Sequence, residues 1–212
     1  VCGKTTLLKV IAGLVTPHSG TVSVRGAPIA GPGPDRALVF QDFALLPWAT
    51  VIDNVAFGLR ARGVARHERH EVAQHYINEV GLAGFETKYP HELSGGMRQR
   101  AGLARALSVK SDILMMDEPF SAVDEQMRRK LQEDLLELLR VEKKTVIFVT
   151  HSIEEAVYLA DQVVILTDRP GKISNIVRPN IDREGEVDVI RRQPRYIELV
   201  DEIWGSLKRY VE

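Results

Sequence analysis

The sequence is short of cysteine: Cys2 stands alone, so no internal disulfide can brace the fold, and the chain suits a reducing compartment. Long hydrophobic runs are missing too. None approaches the roughly 20 apolar residues of a membrane span. The short apolar stretch after Lys4 is not followed by a small-residue cleavage site, which argues against a signal peptide. Charge of one sign is also absent. With 28 Lys and Arg against 29 Asp and Glu, the formal net charge is −1, and no global field draws the chain onto nucleic acid or anionic lipid. There is no internal repeat, low-complexity tract or flexible linker. These absences set the expectation of a soluble intracellular protein whose membrane role goes through a partner. What is present is 212 residues with an ordinary hydrophobic fraction of 44%, enough for a substantial core in one α/β domain with a satellite subdomain.

The apolar pattern alternates between helix and strand. Residues 5–14 have helical spacing, with Leu7, Leu8, Ile11 and Leu14 apolar. A turn at Pro17–Gly20 leads to a strand over 21–24, and the loop Gly31–Pro34 leads to a short strand over 37–40. From Val51 to about Ala106 the character is mostly helical, with Val72, Tyr76 and Val80 on one face of a helix that Gly81 ends. Residues 113–116 and 145–149 are near-continuous apolar runs, as in parallel strands covered on both faces. An amphipathic helix over 128–140 joins them as a crossover. Ser152 and Glu155 form a capping box for a helix to Ala160, the next strand is 163–167, and the tail 193–211 is helical with Ile197, Val200, Ile203, Trp204 and Leu207 on its apolar side.

Four places could carry chemistry. At Gly3-Lys4-Thr5-Thr6 the amides of a helix start attract phosphate oxygens, Lys4 neutralises terminal phosphates and Thr5 can ligate magnesium; a plain helix start is the alternative. The strand before Asp117-Glu118-Pro119 ends in two carboxylates, where open parallel sheets bind ligands. Asp117 can hold magnesium directly or through water, and Glu118 can orient or deprotonate a water for in-line attack; otherwise the pair solvates a strand end. Ser94-Gly95-Gly96 precedes a strong helix former, giving a second helix start with unobstructed amides, although an N-cap and a plain turn would also explain it. Two bare glycines weaken a helix start, and the close approach of an anion accounts for them. His151 can donate a hydrogen bond to a γ-phosphate and the Gln41 amide oxygen can join a magnesium shell, or each is a surface side chain. Two anion-seeking helix starts with one water-activating pair leave two arrangements: both face one nucleotide, or each site is completed by another copy across a two-fold.

Taken in order, Cys2-Gly3-Lys4-Thr5-Thr6, Gln41, Leu93-Ser94-Gly95-Gly96, Met115-Met116-Asp117-Glu118-Pro119, Ser121-Ala122-Val123-Asp124 and His151 resemble the Walker A, Q-loop, signature, Walker B, D-loop and H-loop of ABC transporter ATPase subunits. The resemblance spans nearly the whole chain. It implies an α/β P-loop NTPase with a mostly parallel sheet flanked by helices, one ABC ATPase domain over 1–212 with a helical subdomain at about 51–106. It implies that Gly3, Lys4, Thr5 and Thr6 bind ATP phosphates, and that Thr5, Gln41 and Asp117 make the Mg2+ environment. Glu118 then serves the attacking water and His151 senses the γ-phosphate. Ser94, Gly95 and Gly96 contact the nucleotide of a second copy, with Asp124 at the dimer seam. Leu45-Leu46-Pro47-Trp48, Met97, Thr167-Asp168-Arg169-Pro170-Gly171 and the arginine-rich tail ending in Ile203-Trp204 are similar to the nitrate, sulfonate and taurine import branch.

From that branch follow the expected partners: a second copy, a membrane permease reached through an exposed apolar segment from Phe43 to Trp48 (a buried loop anchor being the alternative for Trp48), and indirectly a periplasmic or extracellular solute-binding protein, with no nucleic acid. The expected place is the cytoplasmic face of the cell membrane. The family carries a Gly-x-x-Gly segment, an edge strand and an adenine-stacking aromatic before Cys2. The chain therefore reads as N-terminally truncated, and weaker ATP binding is expected than with that segment restored. Three rivals differ. A small-molecule kinase lacks the Ser94-Gly95-Gly96 signature. An ABC ATPase acting on DNA or ribosomes carries a long coiled coil or basic extension where this chain has one compact helical block. The third is a truncated fragment without activity.

Overall fold

Apolar runs become strands and amphipathic stretches become helices, at bounds set by caps that lie outside the hydrophobic pattern. The computed structural model describes residues 3–121 and 123–208; Val1, Cys2, Ala122 and 209–212 lie outside them, and with them one residue each of the Walker A and D-loop motifs and the end of the tail. The chain divides into two units, Leu8–Ile147, and Val1–Leu7 with Phe148–Glu212. The first helix, α1 (Lys4–Ile11), and strand β5 (Thr145–Val149) each have residues in both.

In the unit Leu8–Ile147, β1 (Ser23–Val24) and β2 (Ala27–Pro28) form a small antiparallel hairpin. Its turn residues Arg25 and Gly26 both have positive φ, 51° and 80°, as a two-residue hairpin that matches strand twist requires. β3 (Arg36–Val39) runs parallel to β4 (Ile113–Asp117) with Val39 opposite Met116, and β5 follows in the order β3-β4-β5. Val39, Leu114, Met115 and Met116 are buried, as the apolar runs predict. The crossover helix α6 (Glu125–Glu142) buries Leu131, Leu135 and Leu138. It starts three residues before the expected 128, because the Asp124 carboxylate accepts Met127 N–H at 3.0 Å and caps it.

Between β3 and β4 lie α2 (Val51–Val55), α3 (Phe57–Ala61), α4 (Arg66–Glu79), a 3-10 turn at Pro90–Glu92 and α5 (Gly95–Ser108). In α4 the buried stripe is Ala73, Tyr76 and Ile77, with Val80 just beyond. It lies one position from the Val72 of the sequence pattern, and Gly81 at φ 68° ends the helix as expected.

In the other unit, α7 (Ile153–Leu159) is capped by Ser152, which accepts Glu155 N–H at 3.3 Å. The Glu155 carboxylate takes the Thr150 hydroxyl, and that hydroxyl accepts Ser152 N–H at 2.9 Å, so the capping box is relayed through Thr150. β6 (Val163–Leu166) pairs antiparallel with β7 (Ile173–Val177), a strand whose polar Ser174-Asn175 hides it from the hydrophobic pattern. α8 (Val187–Arg191) and α9 (Pro194–Lys208) follow. The tail helix is rotated from its expected face. Tyr196, Leu199 and Ile203 are buried, whereas Ile197 and Trp204 are about half exposed at 52% and 53%. Tyr196 fixes that rotation by donating its hydroxyl to the Glu154 carbonyl at 3.1 Å.

Candidate functional site

The parallel register of β3 and β4 delivers two motif segments to the same carboxyl end of the strands. Gln41 lies two residues beyond Val39 and Asp117-Glu118 directly beyond Met116, its register partner. Side chains then join them. Gln41 Nε2 donates to Ser121 Oγ at 3.2 Å, and Ser121 Oγ donates to the Glu118 carbonyl at 2.9 Å. Glu118 has φ 47°, in the left-handed region that a non-glycine residue adopts only under constraint. The oxygens on Gln41 and Asp117 are hard donors of the kind magnesium takes. Among the described residues no cluster of three His, Cys, Asp or Glu could hold a metal ion by itself. Magnesium is commonly bound by one or two carboxylates together with substrate phosphates and water, and a single carboxylate beside an amide oxygen is compatible with that mode.

Two helix starts also meet. Ser94 caps α5, accepting Met97 N–H at 3.3 Å, so the N-cap reading of this serine holds. A Cβ on Gly96 would come within 3.1 Å of Met127 Sδ, in the first turn of the Asp124-capped α6, and this contact explains the second glycine. The first is different. Gly95 has no positive φ, and a Cβ there would meet nothing nearer than Arg98 Nη2 at 4.0 Å. Among the described residues nothing requires glycine at 95, and a Cβ there would have open space around it. Ser94 and Asp124 are both exposed.

Gly3–Thr6 and His151 belong to the other unit. Gly3 has φ 94°, which favours glycine, and its carbonyl accepts Leu7 N–H at 2.9 Å to open α1 at Lys4. Thr5 and Thr6 are exposed. First-turn amides of a helix lack intrahelical acceptors and suit an anion. Of the expected apolar face of α1, Leu8 is buried whereas Leu7 and Leu14 are 49% and 50% exposed. His151 is exposed in the loop that Thr150 and Ser152 brace before α7.

Beyond Gln41 the structure corrects one expectation. Phe43 is 6% exposed and lies against α5, where a Cβ on Gly102 would be 3.0 Å from Phe43 Cβ. Leu45 and Leu46 are half-buried, Ala44 is exposed, and of the large apolar side chains of the segment Trp48 alone is open, at 75% exposed. Two residues that the sequence reading passed over hold this loop. Arg105 donates to the carbonyls of Phe43 and Ala44, at 2.5 and 2.7 Å, gripping two consecutive residues of positive φ, 59° and 42°. Burial pulls its guanidinium below the ordinary value, with Asp42 opposing. Asn54, fully buried, accepts Leu46 N–H at 2.7 Å and donates to the carbonyls of Leu46, Ala49 and Thr50. An Asn eight residues after the loop it closes has no local sequence signature, which is why it was missed. A cleft of about 420 Å3 between α5, β4 and α6, bordered by Gln99, Arg100 and Asp134, holds none of the expected site residues.

The fold and these strand-end and helix-start motifs define a P-loop ATPase. The chain matches the family described as ABC transporter over residues 2–121. It is 50% identical over 217 residues to the taurine import ATP-binding protein TauB of Burkholderia pseudomallei (strain 1710b), covering 100% of this chain and 83% of that protein. It is 43% identical over 211 residues to the nitrate import ATP-binding protein NrtD of Synechocystis sp., covering 97% of this chain and 79% of that one. Among solved structures it is similar to a dimeric post-hydrolysis state of the ATP-binding cassette MJ0796 bound to ADP and Pi, with a TM-score of 0.72, 27% identity, and coverage of 87% of this chain and 82% of that one. The chain belongs to the ABC transporter family: it is a nucleotide-binding, ABC-type ATPase subunit with import-type relatives.

Proposed function

We propose that the chain powers uptake of a small solute of the taurine, sulfonate or nitrate kind, hydrolysing ATP between two copies of itself docked on a membrane permease. The observation that carries this reading is its likeness, over nearly its whole length, to taurine and nitrate import ATP-binding proteins. Among the described residues no helix is long and apolar enough to cross a membrane, so attachment to the cytoplasmic face runs through the permease. The exposed Trp48 supports a docking role for that loop. The paired starts of α5 and α6, with no neighbour among the described residues requiring glycine at 95, support a second copy whose nucleotide they contact. A solute-binding protein on the far side of the membrane completes the import assembly, and nucleic acid has no part in it.

In this reading Gly3, Lys4, Thr5 and Thr6 hold the ATP phosphates: the first-turn amides accept the negative oxygens and Lys4 neutralises charge. Thr5, Gln41 and Asp117 would hold Mg2+, which supplies charge neutralisation at the phosphates when bound. Glu118 orients and accepts a proton from the attacking water, and His151 donates to the γ-phosphate. Ser94, Gly95 and Gly96 offer amides to the nucleotide of the second copy, with Asp124 at the seam. Replacing Glu118 with Gln in the full-length protein keeps the shape and removes the base. The expected result is retained ATP binding with hydrolysis abolished and a dimer that persists with ATP on size-exclusion chromatography. Unimpaired turnover in E118Q would contradict the assignment.

A further inference from the structure

The Ser121 hydroxyl carries one hydrogen and is committed on both sides. It donates to the Glu118 carbonyl at 2.9 Å, an acceptor that also takes Ser121 N–H at 3.2 Å, so the turn after β4 is closed twice on one oxygen. Having spent its proton there, the hydroxyl can only accept from Gln41 Nε2, 3.2 Å away. Both neighbours are sensitive to it. Glu118 sits at φ 47°, a backbone conformation that relaxes unless something holds it, and its side chain leaves from that strained residue. Gln41 carries an amide whose two ends are opposite in chemistry. Anchoring the NH2 end on Ser121 leaves Oε1 as the end directed elsewhere.

We propose that Ser121 is a positioning residue for hydrolysis: one hydroxyl fixes the Glu118 turn and, by accepting the Gln41 amide, presents the Gln41 oxygen rather than its NH2 group to the metal. The proposal rests on the reading of Glu118 as base and Gln41 as metal ligand. It adds that neither is set by its own strand alone. The hydrogen bond between them also makes the Walker B turn and the Q-loop report on each other, because losing Gln41 from Ser121 loosens one of the two interactions that hold the hydroxyl in place.

The test is S121A and S121T in the full-length protein. S121A is expected to lower kcat by about tenfold, the scale of a lost positioning interaction, with KM for ATP within about twofold. The Mg2+ concentration giving half-maximal rate should rise several-fold, and S121T, which keeps the hydroxyl, should restore most of kcat. A wild-type kcat and Mg2+ requirement in S121A overturns the proposal. So does equal impairment of S121A and S121T, which would make the side chain's packing the cause. If S121A melts well below wild type, the double-mutant cycle with Q41A decides: a Q41A/S121A loss clearly smaller than the product of the two single losses supports the link, and fully multiplying losses refute it. Failure is separable from that of the underlying reading. An inactive E118Q beside an unaffected S121A sinks only this proposal, whereas an active E118Q sinks the assignment on which it rests.

Discussion

Asn54 offers the sharpest stability test, because its role is entirely internal. Its side chain is fully buried, accepts Leu46 N–H at 2.7 Å, and shares two amide hydrogens among the carbonyls of Leu46, Ala49 and Thr50 at 3.0–3.1 Å. Each made hydrogen bond contributes about 1 kcal/mol net, and a donor left buried without a partner costs about 1–3 kcal/mol. Asn54→Ala removes two donated bonds and orphans the half-buried Leu46 amide, so about 3 kcal/mol of stability is expected to go. Equilibrium urea unfolding followed by circular dichroism measures this as a lower midpoint at unchanged slope. Asn54→Asp refines the argument. It keeps the acceptor for Leu46 N–H but turns a carboxylate toward three carbonyl oxygens, so it should be at least as damaging at neutral pH and recover partly in acid, where the protonated group regains a donor. A loss below about 1 kcal/mol in Asn54→Ala, or an Asp variant as stable as wild type, would refute the reasoning.

Other outcomes follow from the same geometry. Gly102→Ala gains helix propensity but sets a methyl 3.0 Å from Phe43 Cβ, which is held on a left-handed backbone and cannot give way; a net loss of about 1–2 kcal/mol is expected in thermal or urea unfolding. Trp48→Ala should leave the unfolding midpoint and the ATPase rate of the isolated subunit unchanged while reducing permease-stimulated turnover, measured in reconstituted vesicles. Tyr76 and Tyr196 are each pushed up to about 12 by burial, with Glu142 beside Tyr76 adding to its shift. For both, the folded value lies above the unfolded value near 10, so their contribution is intact below about pH 10 and is lost as pH rises through 12. Absorbance titration of tyrosinate should show late-ionising groups in the folded protein that vanish on unfolding, with Tyr76→Phe and Tyr196→Phe each removing one.

Strand ends were legible because they are local. Apolar runs at 113–116 and 145–149 become β4 and β5 where expected, and a carboxylate pair that stops such a run marks itself. The helix starts were legible for the same reason, although Asp124 was read only for the seam and its capping of α6 was overlooked. What failed depended on partners far along the chain. Phe43 reads as part of an exposed apolar segment until Gly102 supplies a surface bare enough to bury it. The buried stripe of α9 runs through Tyr196, Leu199 and Ile203, with the Tyr196 hydroxyl reaching a carbonyl forty-two residues away. Arg105 and Asn54 bind backbone, and backbone carbonyls leave no trace in the sequence for a side chain to be matched against.

The grip of Arg105 on the Phe43 and Ala44 carbonyls makes α5 a rigid strut between two ends with different clients. From Gly95 to Arg105 is about 15 Å at 1.5 Å per residue, and Ser108, at the far tip, is itself tied to the Val55 carbonyl at 2.8 Å. α5 thereby ties its Ser94-capped start, through Arg105, to the loop that bears Trp48, and through Ser108 to the end of α2.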